Sequence, residues 1–159
     1  WHHVAFQQYE LLPDACSFAK GIAGGLPMSG IMANEKCRDV FSPGTHGTTF
    51  GGNHLACAAA IAVLDVMERD GLVENAATVG EYLLGELHKI GGLKEVRGRG
   101  LMIGIELDGS GSEFRKRLLF EKHIFTGGAG ASTVRLLPAL CLTRELADRF
   151  LNAFKELVR

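Results

Sequence analysis

The sequence predicts an α/β fold, and three observations point to it. The chain has 159 residues, of which 47% are hydrophobic and 22% charged, which is typical of roughly one globular domain and not of a disordered protein. Short apolar runs alternate with longer segments in which apolar residues recur every three or four positions, as in strands joined by helices. The 21 glycines fall in a few clusters, which indicates tight turns or a backbone that closely approaches a ligand.

Two short strands are predicted near the start of the chain. Residues 15–19 are all small or apolar, so we expect a buried strand that leads directly into Lys20 and a glycine-rich turn. Residues 29–33 form the second predicted strand. Asn34 is a suitable cap for a helix that runs to about residue 41.

A loop rich in glycine and threonine then precedes a long helix. Residues 42–52 contain four glycines and three threonines. Asn53 is the predicted N-cap of a helix that continues to about Arg69 and is closed by Asp70 and Gly71. Its alanines make the helix apolar nearly all round, which predicts that it is buried.

The rest of the chain reads as a small α/β module. Residues 72–90 are predicted to form an amphipathic helix. The change from an apolar helix to an amphipathic one indicates a domain boundary between residues 71 and 92. We therefore predict two domains, 1–75 and 76–159. The further predicted elements are a strand at 101–107, a helix at 112–122, and strands at 123–126 and 133–137. A last helix at 144–158 is capped by Thr143, and we expect it to bury Leu146, Phe150, Phe154 and Leu157.

Composition excludes several classes of function. Lys plus Arg number 17 and Asp plus Glu 18, a balance that argues against a nucleic-acid or membrane-surface partner. The apolar runs are shorter than the ~18 residues of a membrane span, and the histidines lack zinc-ligand spacing. The four cysteines (16, 37, 57 and 141) are far apart, so we expect buried, reduced thiols in a cytoplasmic protein. Trp1, not Met, opens the sequence, so we expect a piece of a longer protein.

Three positions carry candidate chemistry. Lys20 follows a small-residue strand and precedes flexible backbone; it is either a solvated surface lysine or a desolvated Schiff-base nucleophile. Thr48 and Thr49 lie just before a helix, where hydroxyls and free N–H groups suit a phosphate, although an ordinary loop would look similar. Arg135 lies inside an apolar strand and needs an anion, from the protein or from a substrate.

Taken together, these segments resemble the class III pyridoxal-phosphate (PLP) aminotransferases. The matching stretches are FAKGIAGGLP (18–27), HGTTFGGNHLACA (46–58), VRGRGLMIG (96–104) and VRLLP (134–138). They occur in the family's order and spacing and cover the chain from about residue 5. Within the class, the sequence is most similar to the acetylornithine subfamily, including its succinylornithine-using members.

The resemblance implies a fold and roles for the candidate residues. It implies fold type I of the PLP-dependent transferases, with the end of the large domain followed by the C-terminal small α/β domain. Lys20 matches the lysine that binds PLP and moves the proton between the substrate Cα and the cofactor C4′. Thr49 matches the threonine that reaches the phosphate of a PLP molecule bound mainly to the partner subunit. Thr48 matches a hydroxyl residue near the substrate, and Arg135 an arginine that contacts substrate carboxylates. No metal is implied.

The implied reaction is a two-stage transamination in which an N-acylornithine donates its terminal amino group and 2-oxoglutarate accepts it to give glutamate. The family's pyridine-binding aspartate, phosphate loop and aromatic stacking residue lie upstream of the lysine and outside this sequence, so we expect the chain alone to be inactive. His54 stands where the family usually has proline. Two alternatives stay open: a transaminase of ornithine, 4-aminobutyrate or another ω-amino acid, and a non-catalytic folding or interaction module.

Overall fold

The structure is a computed structural model that describes residues 4–158; Trp1, at the start of the sequence, lies outside them. The chain divides into two compact units, the first ending at Gly71 and the second beginning at Leu72. Residues 72–75, which the sequence analysis gave to the first domain, form the first turn of a helix of the second unit. None of the helices in the described residues is long and apolar enough to span a membrane.

The first unit contains a two-stranded antiparallel sheet and one long helix. Strand β1 (Ala15–Phe18) pairs with β2 (Gly30–Ala33), and the ring of Phe18 lies where a side chain at Gly30 would be, with a ring carbon 2.4 Å from that Cβ position. Beyond the strands, the Asn34 carboxamide donates to the Asp14 carboxylate (2.7 Å) and closes the hairpin. The helix predicted after Asn34 is only the 3₁₀ turn Glu35–Cys37.

Helix α1 (His54–Arg69) begins and ends as predicted, with the Asn53 carboxamide oxygen accepting from the Ala56 N–H at 2.9 Å. The prediction that α1 is buried is wrong for this chain, because only Ala56 and Ala60 are buried while Leu55 and Ile61 are 70% and 61% exposed. Strand β1 is likewise half-exposed and not buried. Among the described residues of this unit, no second layer covers these surfaces.

The second unit is a four-stranded antiparallel sheet with helices on one face. Its helices are α2 (Leu72–His88), α3 (Gly111–Lys122) and α4 (Arg144–Val158). Its strands are β3 (Glu95–Arg99), β4 (Met102–Glu106), β5 (Gly127–Ala129) and β6 (Thr133–Leu136), in the order β3-β4-β6-β5. The side chains that are completely or almost completely buried between sheet and helices are those of Leu83, Leu87, Ile103, Ile105, Leu118, Val134 and Phe154.

Close backbone contact fixes α2 against the β3–β4 hairpin. Gly100 has a positive φ of 54° and lies in the hairpin turn, whereas Gly98, with a φ of 151°, lies within β3, where a Cβ would be 2.2 Å from the Met102 carbonyl oxygen. A Cβ at Gly80 of α2 would lie 2.2 Å from the carbonyl carbon and oxygen of Gly100. The glycines of this segment therefore serve a turn and a helix contact.

This unit differs from the sequence predictions in three details. Residues 123–126 are an irregular connection, and the strand is instead Gly127–Ala129, where a loop was expected. Strand β3 was not predicted. Leu146 of α4 is 47% exposed, because the buried stripe of that helix is rotated by one residue and runs through Ala147, Leu151 and Phe154.

Candidate functional site

Lys20 lies at the end of β1, in the first unit, and has an unusual backbone. Its φ is +62°, a left-handed conformation that costs a non-glycine residue of order 1 kcal/mol. It opens the 3₁₀ turn Lys20–Ala23, which packs against α1 with Ala23 buried and Gly24 close to Val63. The chain thus holds the lysine at a fixed point despite the strain, which is typical of functional positions.

The environment of Lys20 differs from the expected desolvated one. The side chain is exposed, and no carboxylate of the described residues forms an ion pair with its amine. The reason is that β1 has only β2 as a neighbour among the described residues, so nothing in the first unit covers the end of the strand. The amine is accessible to a reactant.

Thr48 and Thr49 lie in an exposed loop of the same unit that leads into the N-terminus of α1. The Gly51 N–H donates to the Thr48 carbonyl at 3.3 Å, which makes a turn, and the Thr48 Oγ1 lies 2.7 Å from where a Cβ of Gly51 would be. The loop precedes a sixteen-residue helix by a few residues, and the N-terminus of a helix is its positive end. Whether this loop binds a phosphate stays a prediction.

Arg135 belongs to the second unit, on the sheet face opposite the helices. It is exposed, and its guanidinium lies over Gly127 of β5, whose Cβ position would be 3.4 Å from its Nε. The register places Arg97, Gly104, Arg135 and Gly127 in one row across four strands. Arg97 is paired with Glu95 at 3.0 Å, whereas Arg135 has no ion pair within residues 4–158. Arg135 is therefore the guanidinium of this row that is free to bind an external carboxylate.

A carboxylate network that the sequence analysis missed supports the same strand. Glu106 of β4 accepts hydrogen bonds from the hydroxyls of Ser132 and Thr133 and pairs with Arg97 at 3.5 Å. These contacts hold the pKa of Glu106 below its ordinary value, and the hydrogen bond from the Ser132 hydroxyl has the largest effect. The network ties β4 to β6 two residues before Arg135. A glutamate that ends an otherwise apolar strand was the available signal.

All four cysteines are free; Cys141 is exposed and the others are half-buried, so the predicted burial is wrong. Within residues 4–158, no group of three or more His, Cys, Asp or Glu side chains is arranged to hold a metal ion.

Comparison with known proteins identifies similar sequences and folds. The family described as Aminotransferase class-III matches residues 2–158. Acetylornithine aminotransferase 1 of Bordetella bronchiseptica is 43% identical over 98% of the chain and 40% of its own length. Ornithine aminotransferase 1 of Staphylococcus saprophyticus is 38% identical over 92% of the chain and 38% of its own length. The chain therefore spans about 40% of the length of the curated relatives it matches.

Solved structures give the same result. The acetylornithine aminotransferase of Elizabethkingia anophelis superposes with a TM-score of 0.86 at 31% identity, over 96% of this chain and 42% of its own. The ornithine δ-aminotransferase of Plasmodium falciparum gives a TM-score of 0.87 at 33% identity, over 96% of this chain and 41% of its own.

Proposed function

Because this chain belongs to the class III aminotransferases, we propose that it is part of a transaminase that takes the terminal amino group of an N-acylornithine. The family resemblance predicted from the sequence is confirmed, as are the α/β class and fold type I. Class III aminotransferases depend on PLP. The observation that carries the proposal is Lys20, an exposed, unpaired amine held at φ +62° where a strand ends.

The residues of the first unit fit the chemistry of PLP. The cofactor supplies an aldehyde that an amine can bind and a ring that accepts electrons from the substrate. Lys20 offers the amine, and in our proposal it would hold the cofactor through its aldehyde and would carry the proton between the amine-bearing carbon of the substrate and the C4′ carbon of the cofactor. Neutral amine is the reactive form, so we expect the complete enzyme to bury this lysine.

The phosphate fits the Thr48–Thr49 loop. Two hydroxyl residues in an exposed loop that leads into the N-terminus of α1 suit a dianionic group, and we assign Thr49 to the phosphate and Thr48 to the neighbourhood of the substrate. We propose that Thr49 serves the site of a second subunit, so that the complete enzyme is a homodimer. The exposed apolar side chains of α1 support an assembly of this kind.

Substrate recognition is assigned to Arg135. A free guanidinium on an open sheet face suits the carboxylates of N-acetylornithine or N-succinylornithine, of 2-oxoglutarate and of glutamate. This reaction belongs to arginine biosynthesis. Free cysteines are compatible with a reducing cytoplasm, where we place the enzyme.

Ornithine is the second candidate donor, because ornithine aminotransferases are among the similar sequences and structures. A panel of amino donors on the complete enzyme separates the two. Activity with free ornithine equal to or above that with N-acetylornithine would contradict the acylornithine assignment.

The cofactor proposal is tested on the chain itself by adding PLP, reducing with borohydride and mapping the labelled peptides. Lys94 and Lys116 are matched controls, because both are exposed lysines without an ion pair in the described part of the chain. We expect Lys20 to carry most of the label. We expect no transamination by the chain alone. Equal labelling of the three lysines would refute the assignment of Lys20.

A further inference from the structure

On the sheet face opposite the helices, Glu106 of β4 and Arg135 of β6 are placed so that they could form an ion pair. The register pairs Glu106 with Thr133 and Gly104 with Arg135, so Arg135 is the diagonal neighbour of Glu106 on this face. Diagonal neighbours in an antiparallel sheet lie ~7–8 Å apart, a distance that long side chains can span. Since the two groups have opposite charges, an ion pair between them is the simplest expectation.

The two side chains nevertheless point away from each other. Within residues 4–158, no ion pair joins Glu106 to Arg135. The guanidinium of Arg135 lies instead over Gly127 of β5, with its Nε 3.4 Å and its Nη2 3.7 Å from the Cβ position of that glycine. Strands β4 and β5 flank β6 on opposite sides, so this direction leads away from Glu106. Arg135 therefore stays unpaired although the neighbouring strand carries a carboxylate.

Three other side chains hold the carboxylate of Glu106. The Ser132 hydroxyl donates to Oε1, and the Thr133 hydroxyl donates to Oε2. The Nη2 of Arg97, on β3, also donates to Oε2 at 3.5 Å. The Glu106 side chain is only 17% exposed, which leaves it few other directions. Both carboxylate oxygens are thus engaged on the side of the sheet away from β5.

The side chain of Arg97 also fills the space between Glu106 and Arg135. Gly104 separates the two on this face, because it precedes Glu106 by two residues and pairs with Arg135. A Cβ at Gly104 would lie 3.7 Å from the Cγ and 3.8 Å from the Nε of Arg97, and 3.5 Å from the methyl carbon of Thr133. The glycine therefore leaves room for Arg97, which covers the position that Arg135 would have to cross to reach the carboxylate.

We propose that Arg97 is a positioning residue, which binds Glu106 and thereby keeps the guanidinium of Arg135 free for a substrate carboxylate. The inference rests on the proposed role of Arg135 and adds a residue that acts through another. Without the Arg97 side chain, Arg135 can extend over Gly104 and pair with Glu106. That internal carboxylate then competes with an external one for the same guanidinium.

The test follows the Nε–H group of Arg135 by NMR in the ¹⁵N-labelled chain. Mildly acidic pH is used, where the exchange of this proton with water is slow enough to follow and Glu106 stays ionised, because its pKa is lowered. Pairing with a carboxylate protects the proton, so we expect Arg97→Ala to slow its exchange at least about fivefold. The double variant Arg97→Ala/Glu106→Gln should return the exchange to within about twofold of the wild-type rate. An unchanged rate in Arg97→Ala would overturn the proposal.

Arg99→Ala is the matched control. Arg99 lies two residues further along β3 on the same face, is exposed, and has no ion pair in the described part of the chain. Its replacement should leave the exchange rate of Arg135 within about twofold of the wild-type value. Equal slowing by the two alanine substitutions would refute the positioning role. So would a slowing in Arg97→Ala that Glu106→Gln does not reverse, because it would indicate a general change in the sheet.

A titration with 2-oxoglutarate separates this inference from the proposed function. We expect the Arg135 signal of the wild-type chain to shift with saturation, Arg97→Ala to weaken the apparent affinity at least about threefold, and Glu106→Gln in that background to restore it. Equal affinities of the wild-type and Arg97→Ala chains would overturn the proposal. An Arg135 signal that 2-oxoglutarate does not shift in the wild-type chain would count against the substrate role of Arg135, whereas the exchange rates test the effect of Arg97 independently.

Discussion

Replacement of Gly80 by alanine tests the contact between α2 and the β3–β4 hairpin. The added Cβ would lie 2.2 Å from the carbonyl carbon and oxygen of Gly100, about 1.2 Å short of the 3.4 Å at which ordinary contact begins. Both atoms belong to the backbone, so the clash is relieved only if the helix or the hairpin moves. Gly85 lies in the same helix, and a Cβ there meets nothing within 4 Å.

The magnitude follows from two opposing effects. Overpacking costs ~1–3 kcal/mol, and we take the upper end because the opposing atoms are rigid. Alanine is favoured over glycine inside a helix by about 1 kcal/mol. Gly80→Ala should therefore lower the free energy of unfolding by about 2 kcal/mol, and Gly85→Ala should raise it by about 1 kcal/mol.

Urea unfolding followed by circular dichroism at 222 nm measures the difference. With a slope of about 2 kcal/mol/M, the two midpoints should differ by about 1.5 M. A Gly80→Ala chain as stable as the Gly85→Ala chain would refute the claim that close backbone contact positions α2.

Three further predictions concern the cap, the carboxylate network and the exposed helix. Asn53→Ala should lower the free energy of unfolding by about 1 kcal/mol, and Asn53→Asp, which keeps an acceptor oxygen, should restore most of it in the same urea assay. The pKa of Glu106 is lowered, chiefly by the Ser132 hydroxyl, so its contribution to stability is present above the ordinary glutamate pKa and is lost as the pH falls through the folded-state value. As the pH is lowered from neutral, the urea midpoint should therefore fall less steeply for Glu106→Gln than for the wild-type chain. The same dependence of the midpoint on pH in both chains would contradict this. The exposed Leu55 and Ile61 should cause association that depends on protein concentration. In size-exclusion chromatography the elution volume of the wild-type chain should therefore change with concentration, whereas that of the double variant L55K/I61K should stay constant. A constant elution volume for the wild-type chain would argue against association through α1.

Elements whose ends carry a local chemical signal were predicted well. Helix α1 follows the Asn53 cap, and α4 follows Thr143, whose hydroxyl accepts from the Leu146 N–H at 3.4 Å. Such signals act within one turn of the chain, so they can be read without knowledge of the rest. The roles of Lys20, Thr48, Thr49 and Arg135 stay predictions.

Elements determined by their neighbours were not predictable. Strand β5 is Gly127–Ala129, which has low strand propensity and is extended because it pairs with β6. Residues 123–126 have strand-like composition but find no pairing partner among the described strands. The prediction that α1 is buried failed for the same reason, because the burial of a helix depends on what packs against it and not on its composition alone.

The two glycines of β5 also affect how the second unit behaves towards other copies. Arginines lie on both faces of this three-residue strand, Arg135 over Gly127 and Arg115 over Gly128. At the opposite edge of the sheet, β3 has a charged residue at every second position, Glu95, Arg97 and Arg99. Short or charged border strands are poor templates for intermolecular β-pairing. If preparations of this chain form fibrils, the open hairpin of the first unit is where strand addition should begin, and charges placed on β2 should suppress it.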